Sequence, residues 1–85
     1  MKNSTPYIDT YSTKDIYLAS TIIAIDIPLL DLVKNEKQFT FIFAKTKDLD
    51  VVVFDYWGGV LSVEPKRLFN AFKELKNRMY NEVYE

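Results

Sequence analysis

The tripeptide Thr13-Lys14-Asp15 sets a hydroxyl, an ammonium and a carboxylate side by side. At a helix amino terminus such a set holds a phosphate or carboxylate, because unpaired backbone N–H groups and the helix dipole favour an anion there. An acidic residue in the first turn competes for the same field. The plainer reading therefore has Ser12 and Thr13 capping a helix, Asp15 answering its dipole and Lys14 in water. Asp48, Asp50 and Asp55 offer three carboxylates to a cation. A calcium loop needs glycine at its sixth position and a late bidentate glutamate, and this spacing has neither. First-turn acids on a solvated face account for them. Gly58-Gly59 lacks the lysine and spacing of a phosphate loop and reads as a helix stop. The chain has no cysteine and no histidine. Thiol nucleophiles, cysteine metal knuckles, the commonest general base and the commonest zinc ligand are thereby excluded. The expectation is a chain that is not an enzyme and takes no cofactor and no metal.

Aromatic and basic side chains carry the remaining functional signal. Six tyrosines in 85 residues exceed what one small core needs, and a tryptophan sits beside one of them. Tyrosine and tryptophan with one wet end are favoured at interfaces. Tyr11, Lys14, Tyr17, Tyr56, Trp57 and Tyr80 are the candidate interaction surface, with Tyr7 and Tyr84 nearer the ends. For Tyr56 and Trp57 core packing is the preferred reading, with the interaction surface as its alternative. Lys66, Arg67, Lys73, Lys76 and Arg78 line the last helical segment and are candidate nucleic-acid contacts, neutralising phosphates while tyrosines stack on bases. Glu64, Glu74, Glu82 and Glu85 share that segment and leave it nearly neutral. Long basic side chains beside an apolar stripe also cover the core edge with their stems.

These groups need a scaffold, and 85 residues make one domain. A hydrophobic fraction of 48% argues for a folded chain. Eleven basic against twelve acidic residues give a net charge of −1, evenly spread, so no whole-protein field draws in a polyanion. The segment Met1 to Pro6 lacks the apolar run of a signal peptide, and no stretch approaches the length of a membrane span. A cytoplasmic setting is expected, without a membrane partner.

The scaffold centres on Gln38-Phe-Thr-Phe-Ile-Phe-Ala44. Its alternation puts Phe39, Phe41 and Phe43 on one face of a strand. Leu30 to Lys34 pairs with it antiparallel through a turn at Asn35-Glu36-Lys37. Before this hairpin, Ser12 opens a helix whose wide stripe, from Ile16 to Ile25, predicts cover on two sides, and Asp26-Ile27-Pro28 ends it. After it, residues 47–57 are rich in strand-favouring valines, yet Leu49, Val52, Val53, Tyr56 and Trp57 fall at helical period. Helix is predicted there, with a third strand over 51–57 as the alternative. From Pro65 a helix runs to about Asn81, its stripe Leu68, Ala71, Phe72, Leu75 and Met79. The predicted architecture is α+β: a flexible arm over 1–12, then one domain over 13–85, a two-stranded hairpin packed on three helices in the order α-β-β-α-α.

The ordered set Tyr11-Ser-Thr-Lys-Asp-Ile-Tyr-Leu-Ala19, Phe39-Thr-Phe-Ile-Phe43, Asp55-Tyr-Trp-Gly-Gly59, Val63-Glu-Pro65 and Leu75-Lys76 resembles a family of small single-domain proteins of unknown function from bacteria, archaea and their viruses. The resemblance spans Tyr11 to Tyr80. This chain has Glu64 where the family usually has aspartate, Ile27-Pro28 where it tends to have glycine, and a less polar stretch at Val51 to Val53. The resemblance implies the architecture and a phage or mobile-element origin, and it brings no activity. The expected function is a small protein-interaction module whose partner is another protein, a second copy included. The alternative is nucleic-acid binding through the last helix.

Overall fold

The computed structural model describes residues 9–84. Six elements follow in order: β1 (Thr10–Thr13), α1 (Ile16–Ala24), β2 (Asp31–Asn35), β3 (Gln38–Ala44), α2 (Lys47–Gly58) and α3 (Pro65–Tyr84). The α+β class and the predicted order stand, with one strand added at the front.

That strand corrects the reading of residues 10–12 as arm. β1 pairs antiparallel with β3, Tyr11 opposite Phe43 and Thr13 opposite Phe41, and β2 pairs with the other side of β3. The sheet order is β1-β3-β2, so the phenylalanine strand is central and both its edges are occupied. Among the described residues, the outer edges of β1 and β2 have no further strand beside them. Residues 1–8 of the predicted arm, Tyr7 among them, lie outside the described residues, as does the side chain of Tyr84.

The same shift relocates the first cap. Ser12 lies in β1, and Asp15, expected inside the first turn, is the N-cap. Its Oδ1 accepts from the amides of Tyr17 (2.9 Å) and Leu18 (3.3 Å), while Thr13 Oγ1 accepts from the Asp15 amide at 3.1 Å. The Asp15 carboxylate thus fills the anion position that a ligand would need. At the other end, the amide of Asp26 donates to Ile23 O and that of Ile27 to Ile22 O. This is a Schellman closure with Asp26 at φ 72 in the place usually given to glycine.

Phe41 and Phe43 are buried on the inner face of the sheet, and Leu18, Ala19 and Ile22 of α1 pack against them with Leu32. α1 also meets α3 and α2, so it is covered on two sides, as its wide stripe predicts, with Tyr17 left exposed. Its two buried hydroxyls are satisfied locally, Ser20 Oγ donating to Ile16 O at 2.7 Å and Thr21 Oγ1 to Tyr17 O at 2.8 Å. Residues 47–58 are helical, which settles the ambiguous segment against the third strand proposed for 51–57. Leu49 and Val52 bury there, Thr46 caps through the Leu49 amide at 3.1 Å, and Gly59 at φ 73 closes the helix. β-branched propensity gave way to an apolar face at period 3.6.

Pro65 takes the first position of α3, and both oxygens of Glu64 accept from the Lys66 and Arg67 amides, at 3.1 and 3.0 Å. The helix runs three residues past the expected end at Asn81. Ala71 and Leu75 are buried against α1. α3 has twenty residues and α1 nine, so at 1.5 Å per residue the longer helix outruns its main support by roughly 16 Å.

Candidate interaction site

Three helices meet around an open apolar groove of about 380 Å³ lined by Tyr17, Ser20 and Thr21 of α1, Tyr56 of α2, and Leu68, Phe69 and Phe72 of α3. The hydroxyls of Ser20 and Thr21 already serve backbone carbonyls, which leaves a wall of rings and aliphatic carbon. Tyr17 stacks on Phe72 with ring centroids 5.8 Å apart and planes 4° from parallel. Lys76 Nζ stands 5.8 Å from the Phe72 centroid, a cation over an aromatic face. Trp57 meets Tyr56 edge-on at 5.0 Å.

These rings are partly in water. Tyr17, Trp57 and Phe69 are each 65% exposed and Phe54 is 79% exposed. Phe54 and Trp57 stand outside the groove's lining, whereas Tyr17 and Phe69 gather on its concave surface, which a scattered exposed apolar residue does not do. The phenol of Tyr56 is pushed above its ordinary 10.0, first by burial and then by the Asp15 carboxylate, so it stays a neutral hydroxyl at physiological pH.

The six predicted interaction residues divide. Tyr17 and Tyr56 line the groove, and Trp57 is exposed outside that lining, touching Tyr56 edge-on. Tyr80 is exposed further along α3. Lys14 borders a second depression, with Lys37, Phe39 and Met79, and Tyr11 is half-buried against the core. Phe69 escaped the sequence reading, and Phe72 was assigned to the core alone. The signal was Leu68-Phe69, two large apolar side chains in adjacent positions, which one helical stripe cannot bury together.

The five basic candidates on α3 do not form one surface. At roughly 100° per residue, Lys66, Lys73 and Lys76 lie within about 60° of Phe69, while Arg67 and Arg78 point about 160° away or more. Arg67 pairs there with Asp26 at 2.6 Å, an exposed contact of small energetic weight. The acids Asp48, Asp50 and Asp55 do not converge, and among the described residues no group of histidine, cysteine, aspartate or glutamate is placed to hold a metal. Asp50 instead pairs with Lys45 at 2.9 Å; its hydrogen bond and its charge raise the lysine's pKa. No helix in the described residues is long and apolar enough to cross a membrane.

Residues 8–81 match the family model of a domain of unknown function, DUF5659, and the chain belongs to that family. It matches no curated protein and no solved structure.

Proposed function

We propose that this member of the DUF5659 family is a non-enzymatic protein-interaction module that binds its partner through the groove between α1, α2 and α3. The observation that carries this reading is the gathering of four rings, Tyr17, Tyr56, Phe69 and Phe72, at an open apolar groove, with Tyr17 and Phe69 largely exposed. Aromatic side chains with one exposed end supply large contact area at small entropic cost, and such rings dominate the centres of protein interfaces. A second copy and a foreign protein are both partners of this kind. On the same reading the chain works in the cytoplasm, of a host cell if its origin is a phage or mobile element.

Light scattering across a concentration series, at low and high salt, separates the two partners. A dimer that Phe69→Asp converts to monomer seats self-association in the groove. A monomer at every concentration leaves the groove for a foreign protein. A dimer indifferent to Phe69→Asp refutes the groove as the site of self-association.

Nucleic-acid binding is the second reading, and what favours it is the run of lysines beside Phe69 and Tyr80 on one side of α3. Three lysines neutralising phosphates give a salt slope of roughly −2 for a single strand. Loss of oligonucleotide binding in Lys73→Ala with Lys76→Ala, together with that slope, supports this reading; a flat slope removes it.

A further inference from the structure

The outer side of α3 carries a charge pattern of its own. Lys66, Lys73, Lys76 and Tyr80 lie within about 60° of Phe69 around the helix, whereas Glu74 and Glu82 lie about 140° away at roughly 100° per residue. All three lysines are exposed, and none has a carboxylate within ion-pair distance among the described residues, where the ion pairs are Lys45–Asp50 and Arg67–Asp26. Phe69, on the α3 wall of the groove, is therefore flanked by cations although the whole chain carries −1. Lys76 leans over the ring of Phe72, which lines the groove.

Resting on the groove reading, we infer that the partner segment is an acidic amphipathic helix of another protein. Its apolar side chains fill the space between Tyr17, Tyr56 and Phe69, and its aspartates and glutamates face Lys66, Lys73 and Lys76. An apolar groove between helices is the form that receives the apolar stripe of a further helix, spaced at i, i+3, i+4 and i+7. Lysines around Phe69 with no carboxylate partner among the described residues select carboxylates beside that stripe and repel basic flanks. A nucleic acid matches the lysines but not the groove: Tyr17 and Phe72 stack on each other, which occupies one face of each ring. The net charge also supplies no long-range pull on a polyanion.

The test is selection of random sixteen-residue peptides displayed on phage against the immobilised full chain, against Phe69→Asp, and against the triple variant Lys66→Glu, Lys73→Glu, Lys76→Glu. All the substituted positions are exposed, and circular dichroism checks that each variant keeps its fold. Wild type is expected to enrich net-acidic peptides with apolar residues at helical spacing, and the triple variant to enrich net-basic ones. A wild-type binder is expected to lose roughly tenfold in affinity on the triple variant, since three exposed charge pairs worth a few-fold each multiply. Enriched peptides that need Phe69 but show no acidic bias overturn this inference and leave the groove reading intact. No enrichment, or enrichment indifferent to Phe69→Asp, overturns both. An oligothymidylate that binds more tightly than the selected peptides, and competes with them, replaces the peptide with nucleic acid.

Discussion

Gly58 and Gly59 are adjacent, exposed and unhindered, and they should respond to the same substitution with opposite signs. A Cβ built at either position meets nothing within 4 Å, so steric crowding is absent from the comparison. What differs is the backbone. Gly58 is the last residue of α2 and has no positive φ; Gly59 sits at φ 73, where its amide donates to Tyr56 O at 3.2 Å and that of Val60 to Asp55 O at 3.1 Å. Alanine at 58 restricts the unfolded chain without straining the folded one and should stabilise by about 0.4–1 kcal/mol. At 59 it places a Cβ in the left-handed region and should cost about 1–2 kcal/mol. The two variants should therefore differ by about 2 kcal/mol, or roughly 8–16 °C in Tm for a domain of this size. Urea denaturation with a shared m-value, backed by thermal melts, reads this directly. Equal destabilisation by both substitutions, or a neutral Gly59→Ala, would refute the assignment of the left-handed closure to Gly59 alone.

Three further outcomes follow from the same fold. Phe43→Ala empties the centre of the sheet's inner face, where the ring is 0% exposed, and should cost about 3–5 kcal/mol, seen as loss of most of the urea stability. Asp26→Gly should stabilise by up to about 1 kcal/mol in the same assay, because it relieves a left-handed non-glycine residue and gives up only an exposed ion pair with Arg67. In an alkaline ultraviolet titration Tyr56 should ionise above 10.0; a phenol whose folded pKa is raised contributes stability that is complete below 10.0 and lost as pH climbs through the folded value, and Tyr56→Phe should remove that loss.

Much of the scaffold was legible because single residues left few choices. Phenylalanine at 39, 41 and 43 admits a strand and little else, and the structure buries two of the three rings at its centre. Pro65 with the stripe from Leu68 to Met79 fixed α3, and helical period outweighed three valines in α2. β1 was not legible. Its four residues, Thr-Tyr-Ser-Thr, carry one large side chain, and what makes them a strand is the open edge of β3, which they pair with across long sequence separation. Reading Ser12 and Thr13 as caps failed for the same reason: once the chain is committed to the sheet as far as Thr13, the first free position for a cap is Asp15. The groove was half legible. Tyr17, Tyr56 and Trp57 stood out by type, but whether Phe69 and Phe72 face the core or water depends on how far α1 extends beneath α3, and that is a matter of packing rather than pattern.

The groove's role as a protein-binding surface is most directly tested by photo-crosslinking. A benzophenone amino acid replaces Phe69 at the groove in one variant and Val33 on the sheet in another, both exposed positions, in cells that naturally encode the chain. A discrete protein adduct is expected from position 69, at the mass of two copies or of one copy plus a foreign protein, and none from position 33. Adducts of equal yield from both positions, or none from position 69, would contradict it.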